Sequence, residues 1–257
     1  MAVTIKSARE IELMRESCKI LSEVHARLGE EIKPGISTWD IDAFGEKLIR
    51  SYGCVPNFLN YNGYPASICV SVNDEVVHGI PKKEHILKEG DIVSLDAGLI
   101  YKGYHSDAAR TYPVGQISDK ARQLIEVTKQ SFFEGVKYAR AGNHLYDISN
   151  AIDRYVSQFG YGVVRDLVGH GIGTHLHEDP QIPNYRQWKR GIRLRPGMTL
   201  AIEPMINMGG YRVEWLSDDW TVVTQDGSLS AHYENTVLIT DGEPEILTLP
   251  KSERGRL

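Results

Sequence analysis

The chain has only three cysteines in 257 residues, Cys18, Cys54 and Cys69, with no C-x-x-C pair. An odd, scattered set excludes a disulfide scaffold or zinc ribbon and predicts a reduced, cytoplasmic protein. No apolar run is long enough to span a bilayer, and the opening MAVTIKSARE lacks a secretory apolar segment. Basic excess is missing too: 29 Lys+Arg face 34 Asp+Glu, a formal net charge of -5. That leaves no global field for DNA or an anionic membrane. Familiar catalytic signatures are absent: there is no H-E-x-x-H, Walker A or G-x-S-x-G. Gly169-His170-Gly171-Ile172-Gly173 lacks the spacing of a dinucleotide loop. What remains is 41% hydrophobic residues in a chain able to bury roughly 70–75% of its unfolded surface.

Ser7-Ala8-Arg9-Glu10 reads as a capping box opening a helix, with Ile11, Met14, Cys18, Leu21, Val24 and Leu28 at helical spacing. A second helix is expected over Thr38–Tyr52, a third over Ser118–Arg140 and a fourth over Leu145–Phe159. Ser67–Val72 and Ile92–Ile100 read as strands, and Asp226-Gly227 as a hairpin turn. A shift of 107 residues carries Gly35 onto Gly142, Asp40 onto Asp147, Ile41 onto Ile148 and Gly53 onto Gly160. The preceding helices do not match at that offset. The expected architecture is a single α+β domain of two pseudo-symmetric helix-helix-sheet halves, about residues 1–112 and 113–250, with its site between them.

Asp96 interrupts the apolar strand Ile92-Val93-Ser94-Leu95-Asp96-Ala97-Gly98, where an unpaired carboxylate is costly. If Lys102-Gly103 closes a two-residue hairpin, residue 98 faces 107 and 96 faces 109. Asp96 and Asp107 are then diagonal neighbours on one face, with Cα atoms about 7–8 Å apart. Two carboxylates so placed repel unless a cation or proton intervenes. The alternative is a solvated Asp107 and a basic partner for Asp96. His170 stands between glycines, Glu203 inside Thr199–Ile206 and Glu234 at the start of a later strand, with Pro204 marking an edge or bulge. Four carboxylates and one imidazole suit a pair of divalent transition metals better than a structural zinc.

At these residues the chain resembles the type I, bacterial-type methionine aminopeptidases of the pita-bread metallopeptidase fold. The resemblance runs along nearly the whole chain. It includes Asn57–Pro81 with the segment Asn73–Pro81, Ser94–Gly98, Gly169–Gly173, Ile202-Glu203-Pro204 and Glu234-Asn235. It implies that Asp96 chelates one ion, Asp107 and Glu234 bridge two, and His170 and Glu203 bind the other. The ions would be drawn from Co, Mn, Fe, Zn or Ni. A hydroxide held between them would attack the carbonyl after the first residue, with Glu203 moving the proton. His78 would contact the scissile amide, and His177 would donate to the carbonyl oxygen. His177 follows His170 by seven residues and precedes Glu178-Asp179-Pro180, which favours that role over an H-x-H metal site with His175. Phe58, Tyr61, Tyr64, Cys69, Leu176 and Trp220 would line a methionine pocket, with core packing as the competing explanation. Many bacterial members carry cysteine where Phe58 stands and phenylalanine where Leu176 stands, so the large and small partners are exchanged here. Glu203 and Glu234 are 31 residues apart, too close for the helical insertion of type II enzymes.

The implied activity is removal of initiator methionine from nascent chains whose second residue is small, by a monomer. The alternatives are an Xaa-Pro exopeptidase of the same fold and a non-catalytic peptide- or ribosome-binding module. Arg186, Lys189, Arg190, Arg193 and Arg195 form a basic run, either a solvated loop or a contact with ribosomal RNA.

Overall fold

The structure is a computed structural model that describes residues 3–250. α1 (Ala8–Glu31) starts at the expected capping box: Glu10 Oε2 accepts from the Ser7 N–H at 2.7 Å, and Ser7 Oγ accepts from the Glu10 N–H. α2 (Thr38–Ser51) repeats the device with Ser37 and Asp40. α3 (Asp119–Val136) is shorter than the sequence pattern predicts, and α4 (Leu145–Val156) tightens into a 3-10 turn over Ser157–Phe159. Apolar side chains continue past both helix ends. Periodicity therefore overshoots where the backbone changes its bonding but not its burial.

α1 and α2 pack on the strand Ile68–Val72 and the hairpin of two ten-residue strands, Ile92–Tyr101 and Tyr104–Pro113. Lys102 and Gly103 both have positive φ, 48° and 85°, the conformation that matches a two-residue turn to the strand twist. The register is the expected one: Tyr101 faces Tyr104, Gly98 faces Asp107 and Asp96 faces Ala109. α3 and α4 pack on the second half's strands. There Thr199–Ile202 pairs with Asn235–Leu238, and Met205–Asn207 pairs with Ser230–His232. Ile202 faces Asn235 and Met205 faces His232, so Glu203 and Glu234 fall opposite each other where the chain steps between two sheets.

The two hairpins meet along one seam. Thr236 Oγ1 accepts from the Asp107 N–H at 3.2 Å and donates to the Asp107 carbonyl at 2.9 Å, and the Glu234 N–H donates to the Ala109 carbonyl at 3.0 Å. One carboxylate of each half is thereby brought beside the other.

The 107-residue offset recurs in the backbone well beyond the glycines. Gly35 and Gly142 have φ of 93° and 91°. Gly35 N–H donates to the Leu87 carbonyl and Gly142 N–H to that of Leu194; Thr38 N–H donates to His85 and Leu145 N–H to Ile192. Isolated bridges join Ser37 to Ile86 and His144 to Arg193. Asp96 and Glu203 are related by the same shift. The helices before Gly35 and Gly142 hide this in their side chains. Gly45 of α2 is covered by Ile68 of the strand and by Leu28 of α1, whereas Gly135 of α3 sits under Ile152 of α4. Bulk is supplied by the first helix in one pair and the second in the other, so equivalent positions carry opposite residues.

Asp226-Gly227 does not close a hairpin. Val222–Thr224 pairs with Val213–Trp215 and Glu75–Val77, while Ser230–His232 pairs with Met205–Asn207. The Asn73-Asp74 turn lies between them, accepting from the N–H groups of Ser230 and Thr224. The Asp226 carboxylate accepts instead from Gly210 and Ser228. Among the described residues no helix is long and apolar enough to cross a membrane.

A Cβ on Gly135 would lie 2.6 Å from Ile152 Cγ1. Gly135→Ala should therefore destabilise the protein by about 1–3 kcal/mol despite alanine's better helix propensity. Ile152→Ala, which removes the Cγ1 that the new methyl would strike, should recover part of the loss in the same chain; strictly additive losses in thermal melts would contradict this packing.

Candidate metal centre

A cavity of about 420 Å³ opens where the two halves meet. Asp96, Asp107, His170, Glu203 and Glu234 line one part of it, and His78, His177, Phe58, Tyr61, Tyr64, Cys69, Leu176 and Trp220 line the rest. The structure thus brings every sequence-nominated site residue to one cavity, from strands and loops 176 positions apart in the chain at the extreme (Phe58 to Glu234). Asn62 also lines it and was not anticipated. Its signal was the run Asn60-Tyr61-Asn62-Gly63, in which Asn60 and Asn62 take positive φ, a tight turn that pushes Tyr61 and Asn62 toward the opening.

Asp107, His170 and Glu234 are each less than a tenth exposed. They offer one ligand atom apiece, all within 4.8 Å of one another. His170 Nε2 lies 3.7 Å from Asp107 Oδ2 and 3.6 Å from Glu203 Oε1. Asp96 enters from the neighbouring strand, paired with Cys69 across the ladder. Asp96 Oδ1, Asp107 Oδ1 and Glu234 Oε1 are buried without a hydrogen-bond partner. The basic side chain nearest in the strands, Arg110, does not pair with them. It donates to the backbone carbonyls of Ala109 and Glu234 and to Asn235 Oδ1.

Burial pushes the Asp96 carboxyl up to about 7. It pushes Asp107, Glu203 and Glu234 well above the usual range, and the neighbouring carboxylates push them further. Such a cluster must take up protons or cations. Its oxygen-rich donors with one imidazole fit divalent transition metals.

The tautomer of His170 suits a ligand. Its Nδ1 meets the Gly171 carbonyl at 2.9 Å, so the proton sits there and the Nε2 lone pair faces the carboxylates. Burial, then His177, lowers its pKa to about 3. The flanking glycines are required by the sheet. A Cβ on Gly169 would come 2.4 Å from the Ala201 carbonyl oxygen, and on Gly171 2.3 Å from that of Asp179.

His78 has φ of 58°, a conformation that costs a non-glycine residue of order 1–3 kcal/mol and marks functional sites. Burial lowers its pKa to about 4. The next residue, Gly79, packs so tightly that a Cβ would lie 2.4 Å from the Val70 carbonyl oxygen. His177 stands at the open mouth of the cavity, its ring centroid 4.3 Å from that of His170, and desolvation by the surrounding protein still lowers its pKa. Its Nδ1 bonds the Tyr61 hydroxyl at 2.8 Å, a contact no sequence spacing could reveal. Phe58, Tyr64, Cys69 and Leu176 are buried in one apolar cluster against which Tyr61 and Trp220 pack. His175 is exposed, as expected of a surface residue.

The basic run is exposed at Arg186, Lys189, Arg190, Arg193 and Arg195. Trp188 among them is 90% exposed, with the Arg186 guanidinium 5.0 Å from its ring centre.

Metallopeptidase family M24 matches residues 12–241. The chain is 57% identical to a methionine aminopeptidase of Clostridium acetobutylicum over 247 residues, covering 96% of this chain and 99% of that one. It is 50% identical to methionine aminopeptidase 1 of Bacillus subtilis, over 96% and 99% of the two chains. The crystal structure of a methionine aminopeptidase from Thermotoga maritima superposes with a TM-score of 0.94 at 45% identity, over 96% and 99%. An Xaa-Pro dipeptidase from Bacillus anthracis superposes at 0.77 and 26% identity, over 95% of this chain and 61% of that one.

The raised carboxyl values carry a sign. A carboxyl whose folded pKa exceeds its unfolded one stabilises the fold below the unfolded value, and that stability is lost as pH rises through the folded value. Chelator-treated protein should therefore melt at a lower temperature at pH 8 than at pH 6.5, through the Asp96 value near 7. Glu75, also raised to about 7 by burial, adds in the same direction. Added Mn(II) should raise the melting temperature, more at pH 8. Equal melting at both pH values, with no response to Mn(II), would contradict this electrostatic reading.

Proposed function

Since the chain belongs to metallopeptidase family M24, we propose that it removes the N-terminal methionine of nascent proteins whose second residue is small. The observation that carries this reading is one cavity in which four converging carboxylates and a Nδ1-protonated imidazole adjoin an apolar pocket. The methionine aminopeptidases match at 50–57% identity over nearly their whole length. The Xaa-Pro dipeptidase matches at 26%, which favours methionine over Xaa-Pro specificity. The intact acidic cluster favours catalysis over a binding module.

Asp96, Asp107, His170, Glu203 and Glu234 would hold two divalent ions, with Asp107 and Glu234 shared. Bound there, such ions supply Lewis acidity and an acidified water at neutral pH. Glu203 then serves as the proton carrier between the attacking water and the leaving amine. His177 is the electrophilic donor. With the Tyr61 hydroxyl donating to Nδ1, its remaining proton is on Nε2, available to the carbonyl oxygen as charge develops. His78, kept neutral by burial, faces the same cavity and would bond the scissile amide. Phe58, Tyr64, Cys69, Leu176 and Trp220, with Tyr61 at the rim, form a slot for an unbranched thioether. Phe58 and Leu176 exchange large for small within it.

We also read residues 1–257 as one catalytic domain of two halves, about 1–112 and 113–250, acting as a monomer. Residues 1–2 and 251–257 lie outside the described structure. The repeated backbone bonds support the two halves, and all assigned side chains come from one chain. The compartment proposed is the cytosol, where nascent N-termini arise and where three free cysteines stay reduced. The exposed basic run with Trp188 would contact ribosomal RNA transiently.

Stripped protein reloaded with Mn, Co or Fe should cleave Met-Ala-Ser in preference to Leu-Ala-Ser and leave Ala-Pro-Ser intact. Cleavage of Ala-Pro-Ser alone would overturn the assignment. Glu203→Gln should lower turnover by about 10²–10⁴ while circular dichroism stays unchanged; near wild-type turnover would discard the mechanism. Neutralising the five basic residues should abolish co-sedimentation with ribosomes, and unchanged co-sedimentation would rule that contact out.

A further inference from the structure

One side chain at the carboxylate cluster has no role in the mechanism above. His232 is 1% exposed, yet neither ring nitrogen has a hydrogen-bond partner. Two orphaned nitrogens on one buried ring call for an explanation. Backbone bonds hold the residue rigidly. The His232 N–H donates to Thr111 Oγ1 at 2.9 Å, and that hydroxyl donates to the His232 carbonyl at 2.9 Å. The ring Nε2 lies 3.8 Å from Glu203 Oε2 and 3.9 Å from Glu234 Oε2.

Glu203 thus stands between two imidazoles. Its Oε1 faces His170 Nε2, and its Oε2 faces His232 Nε2. The rings differ at their other nitrogen. The Gly171 carbonyl takes the proton of His170 at Nδ1, leaving Nε2 a lone pair. His232 has no acceptor at Nδ1 among the described residues, and its Nε2 faces two carboxylates. When those carboxylates are ionised, electrostatics places its proton on Nε2, the opposite tautomer. One ring presents a lone pair, the other an N–H. The Glu203 carboxylate receives no hydrogen bond from any other described side chain, since Asn184 donates only to its backbone carbonyl.

We propose that His232 is a positioning residue of the centre, its Nε2–H holding the Glu203 oxygen turned away from His170 and the adjacent Glu234 oxygen. This rests on the metal-centre reading. The present separations are about 1 Å longer than a hydrogen bond. Once the carboxylates ionise around divalent cations, their outer oxygens need a donor, and this neutral N–H is the nearest. His232 also lines a second cleft of about 430 Å³, which shares no residue with the first.

The test compares His232→Leu, which loses the donor, with His232→Gln, which keeps an N–H. Mn(II) binding is measured by calorimetry and Co(II) binding by its visible absorption. The leucine variant should bind about 10–100-fold more weakly, with the peptide KM unchanged at saturating metal. The glutamine variant should bind close to wild type. Leucine at full affinity, or glutamine as weak as leucine, overturns the proposal. Wild-type protein that binds no ion overturns the metal-centre reading and this one with it. The unsubstituted protein gives an independent reading. In the Zn(II)-loaded protein, long-range proton–nitrogen spectra should show His232 neutral and protonated at Nε2. A proton on Nδ1 overturns the proposal even if neither variant folds.

Discussion

Mutual repulsion among four buried carboxylates is the constraint around which the rest of this molecule is arranged. Asp96, Asp107, Glu203 and Glu234 converge with no arginine or lysine among them. The basic side chain that comes close, Arg110, is committed to backbone carbonyls and Asn235. No fold gains stability from such a cluster by itself. The surrounding strands must hold it against its own field, and they do so through many bonds that involve no ligand side chain. Thr236 bonds both the N–H and the carbonyl of Asp107, and the Glu234 N–H donates to the Ala109 carbonyl. The constraint extends to the glycines beside His170, where a methyl group would strike neighbouring backbone oxygen.

The imidazoles follow from the same field. Each buried ring near the cluster is neutral because burial disfavours its charge. Neutral rings have two possible tautomers, and their partners choose. A carbonyl at one nitrogen leaves His170 a lone pair at the other, and a phenol that donates to one nitrogen would leave His177 a proton to give. Two chemically identical residues, seven positions apart, would thereby take opposite roles in the proposed mechanism.

Much of this was legible before any coordinates, for identifiable reasons. The side-chain period of a strand is two, and Lys102-Gly103 can close a two-residue turn, so the diagonal placement of Asp96 and Asp107 followed by counting once that turn was taken. Pro204 after Glu203 signalled an edge or bulge, and the structure has the chain change sheets there. The hairpin at Asp226-Gly227 failed because a turn signal is local and cannot report that Asn73-Asp74 wedges between the two strands. The repeat in the helices was hidden because packing conserves the filling of a space and not which side fills it, as Leu28 over Gly45 and Ile152 over Gly135 illustrate. The Tyr61–His177 bond spans 116 residues, and nothing in composition or spacing links its ends.

The seam between the hairpins has a consequence for how such a site can be assembled. Val114-Gly115-Gln116-Ile117, the covalent link from one half to the next, carries none of the cluster's side chains. Asp96 and Asp107 lie before it, and His170, Glu203 and Glu234 after it. The centre therefore has the logic of a subunit interface whose two subunits share one polypeptide. The tether's contribution is effective concentration: it keeps at hand two acidic edges that would otherwise drift apart in dilute solution. Fragments cut within the tether would inherit complementary edges, and divalent ions could act as the adhesive between them.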